Sequence, residues 1–199
     1  MTDARTIAFY DSAATRYANL TRTDQPSDDL RRFIAGLPSG AKVLDLGCGP
    51  GQASFHMAQA GLRPDPVDAS RAMVDFARTL GLPARQGTFD DLDTVAAYDG
   101  VWANFSLLHA PRAALPDHLS AIARALRPGG LLHIAMKTGT GEARDAIDRL
   151  YTYVTEDELA DLLTTAGFTP ISRRTGVDKG CAGTDDAYIV MQARTAPHA

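Results

Sequence analysis

The sequence predicts a doubly wound α/β sheet of seven strands, mostly parallel, with helices on both faces and an antiparallel strand at its C-terminal end. Three observations predict it. Short apolar runs alternate with helical patterns, a glycine-rich turn joins the first such run to a helix, and the last two apolar runs have no helix between them. A chain of 199 residues, 45% of them hydrophobic, can bury one substantial core without disulfide or metal staples. Two full domains would be cramped, and the expected division is a helical cap over residues 1–38 and one domain over 39–199.

Residues 3–19 place Ile7, Tyr10, Ala14 and Tyr17 at helical spacing, and Pro26-Ser27-Asp28 opens a second helical pattern through about Leu37. Ala41–Leu46 is a compact apolar strand running into Gly47-Cys48-Gly49-Pro50-Gly51, with a helix over Ala53–Ala60 that stops at Gly61. The pattern recurs: a strand over Pro64–Val67, a helix over Arg71–Leu80 ending at Gly81, and a strand over Ala84–Thr88. Gly100–Phe105 is the next strand. A helix over Leu115–Leu126 follows, ending at Pro128-Gly129-Gly130, and then a strand over Leu131–Met136. Thr155–Ala166 is a helix stopped by Gly167, and Phe168–Arg173 and Ala187–Ala193 are the closing pair of strands.

A net charge of −4, with basic residues scattered rather than striped, argues against non-specific nucleic-acid binding. No apolar run approaches the roughly 18 to 20 residues of a membrane span, and residues 1–14 lack a basic segment followed by an apolar one, so a cytoplasmic protein away from membranes is expected. Cys48 and Cys181 stand apart from any CxxC or Cys/His cluster, so both are expected to be unpaired and no metal site is expected.

In an open parallel sheet, ligands bind beyond the carboxyl ends of the strands, which directs attention to the loop after the first strand. Gly47, Gly49 and Gly51 stand at alternate positions before a helix, where the backbone can approach a ligand and helical N–H groups are unpaired. A dinucleotide fingerprint requires a glycine where Gln52 stands, so pyrophosphate binding is disfavoured. About twenty residues after the first loop glycine, Asp68 ends the second strand, where a carboxylate can accept both hydroxyl hydrogens of a ribose. Ser70 is better placed than Asp68 to cap the helix that follows.

The run Asp45-Leu46-Gly47-Cys48-Gly49-Pro50-Gly51 resembles the first motif of the class I S-adenosylmethionine-dependent methyltransferases, which have a Rossmann-like fold. Three further segments are similar to that family's motifs in the same order: Pro66–Ser70, Gln86–Leu92, and Asp99–His109 with the turn Leu126-Arg127-Pro128-Gly129-Gly130. Together they cover about residues 40–136. Within the family, the chain is similar to small single-domain bacterial members, of the methyltransferase type 11/25-like kind and distantly like the tellurite-resistance enzymes.

The resemblance implies that the cofactor is S-adenosylmethionine and the product S-adenosylhomocysteine. It places Gly47, Cys48, Gly49 and Gly51 against the methionyl and ribose portions and Asp45 near the methionine ammonium. It further places Asp68 on the ribose and Ala69 and Met73 beside the adenine, although Met73 also suits plain core. The family's usual acid at the adenine amino group is replaced here by Thr88, which leaves a hydroxyl, the backbone N–H of Phe89, or Asp90 two residues on, for the ring. Asn104 is a further cofactor contact.

Methyl transfer from a sulfonium is an in-line displacement that gains from positioning in a dry site and needs little acid–base machinery beyond a proton acceptor. His109, just past the fourth strand, is the candidate for that role, with a pocket-shaping histidine as its structural alternative. Substrate contacts are expected from Tyr10, Arg16 and Tyr17 in the first helical segment. They are also expected from the glycine-bearing stretch Lys137–Arg149, either a lid with Lys137, Arg144 and Arg149 as a clamp for an anion or a solvated loop leading into a helix. The expected acceptor is a small molecule, with no nucleic-acid partner. Two other readings remain at this level: a non-catalytic module that binds the same cofactor, and an NAD(P)-dependent oxidoreductase, which lacks a Tyr-x-x-x-Lys pair here.

Overall fold

A computed structural model describes residues 3–180 and 183–197, so Cys181 lies outside the described residues. Two helices, α1 (Ala4–Thr21) and α2 (Asp28–Ala35), precede the sheet. Asp3 caps α1 by accepting from the Thr6 amide, and Ser27 caps α2 by accepting from Leu30.

The sheet contains β1 (Lys42–Leu46), β2 (Arg63–Asp68), β3 (Arg85–Gln86), β4 (Tyr98–Asn104), β5 (Leu126–Lys137), β8 (Phe168–Lys179) and β9 (Asp185–Thr195). Their order is β3-β2-β1-β4-β5-β9-β8. The first five are parallel, and β9 runs antiparallel to both β5 and β8. This is the expected mostly parallel seven-stranded sheet with a C-terminal antiparallel strand. The order reverses between β1 and β4, so the loops after those two strands flank the crevice where an α/β sheet binds its ligand.

Alternation along the central strands sends side chains to two cores. Leu44, Val101, Leu132 and Ile134 join one cluster with α5 (Leu115–Ala125) and α6 (Glu156–Thr165), while Val43, Trp102 and Leu131 join another with Leu30 and Phe33 of α2 and Met57 of α3 (Gln52–Gln59). A third cluster packs Cys48 with Val74 and Ala77 of α4 (Arg71–Thr79) and with Leu82 and Ala84.

Three segments differ from the sequence expectation. The strand expected over Ala84–Thr88 is reduced to two residues, because Thr88 begins a short 3-10 turn at Phe89–Asp91 and Asp91 accepts from both its amide and its hydroxyl. The helix expected to reach Leu126 stops at Ala125, and Leu126 already pairs with Tyr98; the register then shifts, so that the Pro128-Gly129-Gly130 turn is an irregularity within β5. The stretch after Lys137 leads into α6 as expected, but not as a plain loop: β6 (Glu142–Arg144) and β7 (Leu150–Thr152) pair as a two-stranded antiparallel ribbon.

Candidate functional site

Gly47 follows β1 with φ +79°, and a Cβ there would lie 2.3 Å from the Ser106 Cβ, so no other residue fits without moving the loop after β4. Gly51, the N-cap of α3, has φ +86°, and a Cβ would come within 2.8 Å of both Ala77 and Leu82. The first of these glycines brings two switch-point loops together, and the second seats α3 against α4. The Gly47 and Cys48 amides both donate to the Val67 carbonyl. The Cys48 side chain is buried in the α3–α4 cluster, and burial pushes its thiol up.

Asp68 terminates β2 and holds the loop from the other side: Oδ2 accepts from the Gly49 amide at 2.8 Å and Oδ1 from the Ser70 amide at 2.8 Å. The capping of α4 falls to Ser70, whose hydroxyl accepts from Met73. Burial raises the Asp68 pKa. Asp45, at the end of β1, is buried with the Ser54 hydroxyl donating to it at 2.7 Å; burial, reinforced by the nearby Asp68 charge, pushes its pKa up to about 7. A buried carboxylate so destabilised gains from any cation or donor brought beside it. The Ser106 hydroxyl, also in this region, is buried without a hydrogen-bond partner.

Two chambers flank the glycine loop and share Tyr17, Gly47, Gly49 and Asn104. One, of about 90 Å³, is lined by Asp68, Ala69, Met73, Thr88, Phe89, Ser106 and His109; the other, of about 280 Å³, by Asp45, Cys48, Gln52, His56 and Trp102. Apart from Gly51, whose place is between the helices, and Asp90, every residue expected to meet the cofactor lines one or both. Asp90 is exposed and does not. The Thr88 hydroxyl spends its proton on Asp91 and keeps its oxygen available as an acceptor.

Asn104 is oriented by a residue that the sequence reading passed over. His133 of β5 stacks on Trp102 at 3.6 Å, and its Nε2 lies 3.0 Å from Asn104 Oδ1. Burial pushes the His133 pKa down to about 3, so the ring is neutral, its Nε2–H donates to the amide oxygen, and the amide N–H groups of Asn104 are left for the chambers. A histidine in the otherwise apolar run Leu131–Met136 is the trace this leaves in the sequence.

His109 closes a short turn after β4 and is buried. Its Nδ1 lies 2.7 Å from the Leu150 carbonyl and therefore carries the proton; Nε2 accepts from the Tyr10 hydroxyl at 2.9 Å. Burial pushes the His109 pKa down to about 4, with the positive charges of Arg149 and Lys137 acting in the same direction. Arg149 in turn donates to the Tyr10 oxygen at 3.1 Å. The result is a neutral imidazole whose lone pair is presented to a phenol held by a guanidinium.

The cations expected to clamp an anion are each neutralised instead. Lys137 pairs with Asp186 at 2.6 Å, Arg144 with Asp3 at 2.6 Å, and Arg149 with Asp145 at 2.7 Å. Arg144 lines none of the chambers around the loop; its pair holds Asp3 well below the usual carboxylate range and fastens the start of α1 to the ribbon. Thr6 adds a bond from the Leu150 amide, and on the opposite side Asp11 accepts from Ser70 and Ala72 at the head of α4. Helix α1 is thus tied down on both banks of the crevice. Among the described residues, no group of three or more His, Cys, Asp or Glu could hold a metal ion, and no helix is long and apolar enough to cross a membrane.

A family model described as "Methyltransferase domain" matches residues 43–130. The chain is similar to the cypemycin N-terminal methyltransferase of a Streptomyces species, 40% identical over 46% of this chain, although the match spans only 40% of that relative. It is 31% identical to an uncharacterized methyltransferase of Synechocystis over 67% of this chain and 69% of the relative. Among solved structures, the Burkholderia thailandensis 1,6-didemethyltoxoflavin-N1-methyltransferase, with 1,6-didemethyltoxoflavin and S-adenosylhomocysteine bound, superposes with a TM-score of 0.75 at 29% identity, covering 97% of this chain and 88% of that one. With the sheet order, the glycine loop and these likenesses in agreement, the chain belongs to the class I S-adenosylmethionine-dependent methyltransferases.

Proposed function

We propose that this enzyme methylates a small-molecule acceptor, with S-adenosylmethionine lying across the glycine loop between Asp45 and Asp68. The observation that carries the reading is the pair of confluent chambers around Gly47 and Gly49. Asp45, buried, lines one and Asp68, half-buried, the other, and the Asp68 chamber shares Tyr10, Tyr17, Phe105 and His109 with a third chamber of about 270 Å³. The 1,6-didemethyltoxoflavin bound in the Burkholderia neighbour supports a small-molecule acceptor.

When bound, S-adenosylmethionine supplies an electrophilic methyl group on a sulfonium. Asp68 holds the ribose hydroxyls, Ala69, Met73, Thr88 and Phe89 enclose the adenine, and Asp45, Asn104 and the loop at Gly47, Cys48 and Gly49 hold the methionine portion. Residues 1–38 act as a helical cap that excludes water from these contacts. Tyr10 and Tyr17 lie on the acceptor side. The Tyr10 oxygen takes the proton released by the acceptor as its own proton moves to His109 Nε2, and Arg149 steadies the phenol throughout. Lys137 contributes to the acceptor chamber as half of an ion pair, and Arg144 acts by fastening α1.

Incubation with methyl-labelled S-adenosylmethionine and a fractionated bacterial extract tests the reading. Label recovered in a small metabolite is the expected result. Label in RNA or in a polypeptide would overturn the acceptor class, and no transfer to any fraction would count against the whole proposal.

A further inference from the structure

The third chamber, of about 270 Å³, lies across Tyr10, Tyr17, Phe105 and His109 from the cofactor side, and its far wall is built by Lys137, Tyr151, Asp186 and Tyr188. Its aromatic rings arrive from separate parts of the fold: Tyr10 and Tyr17 from α1, Tyr151 from β7, Tyr188 from β9, and Phe105 from the end of β4.

Phe105 is the informative member. It holds a positive φ of 54°, a conformation that a bulky residue rarely adopts, and the residue is 37% exposed although it lines both the cofactor cleft and this chamber. The Phe105 and Tyr188 rings meet edge to face, with centroids 5.6 Å apart and planes at 82°, so the two together offer aromatic surface in two orientations to a flat guest in the chamber.

The charges restrict that guest. Lys137 Nζ sits 3.8 Å from the centre of the Tyr151 ring and 2.6 Å from Asp186, and Arg149 is already paired with Asp145. At the rim, Asp178 and Lys179 contribute one charge of each sign. A carboxylate guest would have to separate an existing pair, whereas a neutral group with a donor or acceptor can join the Lys137–Asp186 pair without breaking it.

We propose that this chamber is the acceptor subsite and takes a flat, uncharged aromatic or heteroaromatic ring, packed against Phe105 and Tyr188. The atom to be methylated faces the Tyr10–His109 wall, and a neutral polar substituent on another edge meets the Lys137–Asp186 pair. The inference rests on the methyltransferase reading given above and adds the chemical class of the acceptor.

Ligand-observed NMR on the full chain saturated with S-adenosylhomocysteine tests it, using phenol, 2-naphthol and 4-hydroxybenzamide against cyclohexanol, decahydro-2-naphthol and 4-hydroxycyclohexanecarboxamide, with 4-hydroxybenzoate as the charged control. The aromatic probes are expected to bind at least fivefold more tightly than their saturated counterparts, and 4-hydroxybenzamide more tightly than 4-hydroxybenzoate. Tyr188→Leu should abolish the aromatic preference and Tyr188→Phe restore it, with S-adenosylhomocysteine affinity within twofold of wild type in both. Should Tyr188→Leu not fold, Lys137→Met is expected to weaken 4-hydroxybenzamide at least threefold while sparing 2-naphthol. Equal binding of saturated probes, preference for the benzoate, or no binding of any probe would overturn the inference. Failure of S-adenosylhomocysteine itself to bind would remove the underlying reading instead, and the inference with it. Labelled methyl found on an aliphatic metabolite would leave the reading standing and overturn the aromatic assignment alone.

Discussion

The Tyr10 hydroxyl and His109 Nε2 stand 2.9 Å apart, 99 residues apart in sequence, and the Leu150 carbonyl on Nδ1 fixes which of the two gives the proton. Tyr10→Phe removes the phenol without removing the ring. The expected outcome is a fall in kcat of about tenfold to a thousandfold, with S-adenosylhomocysteine affinity nearly unchanged. His109→Gln should lower kcat similarly, and the double variant should be little worse than either single one, because in the proposed relay the two act as one unit. Steady-state kinetics of the four proteins, once an acceptor is in hand, check this; strictly additive losses would contradict the relay.

The pH dependence of cofactor binding follows from Asp45. Its pKa in the free protein is raised to about 7, and an ammonium placed beside it favours the ionised form. Below pH 7 binding must therefore expel a proton, and affinity falls as the pH falls. Between pH 8 and pH 6 the affinity for S-adenosylhomocysteine should drop by about tenfold, and Asp45→Asn should remove most of that slope. His109, with its pKa lowered to about 4, stays neutral throughout this window and adds no titration of its own. Calorimetric titrations at three pH values check both statements.

Gly47→Ala forces a methyl group to within 2.3 Å of Ser106 in a backbone conformation with φ +79°. A destabilisation of about 2 kcal/mol or more is expected from the left-handed strain and the overpacking together. Urea unfolding of the variant measures it. An unchanged midpoint would mean that the β1 and β4 loops can separate without cost.

Helix α1 lines the adenosine-side chamber through Thr6, Ile7, Tyr10 and Tyr17, and the Arg144–Asp3 pair fastens its start, so α1 is the expected gate for cofactor entry and exit. Arg144→Ala frees the start of α1 from the ribbon. Stopped-flow measurement should show both association and dissociation of S-adenosylhomocysteine accelerated severalfold, with a smaller change in the equilibrium constant. Unchanged rates would place the gate elsewhere.

What the sequence disclosed was short-range. The glycine turn and the capping by Ser70 are set by neighbours within a few positions, as are the apolar periods that build the central strands, and Asp68 is marked by its spacing from the glycine turn. The ribbon at Glu142–Arg144 was not legible, because its polar, glycine-flanked residues become a strand only by pairing with Leu150–Thr152. Nor were the partners of Lys137, Arg144 and Arg149. Spacing exposes three cations, but only the fold brings Asp186 and Asp3 to the first two. Phe105 and Tyr188 read as ordinary strand residues, and Tyr151 as the end of a lid or loop, until β9 is laid beside β5 and the ribbon folds over the loop after β4.

The central claim is that Asp68, besides tying down the glycine loop, holds the cofactor's ribose. Titration of S-adenosylhomocysteine into wild type and Asp68→Ala, with thermal unfolding of both in parallel, tests it most directly. Loss of two hydrogen bonds to a half-buried carboxylate should weaken binding by at least about tenfold in a variant that still folds. Equal affinity in the two folded proteins would contradict the account.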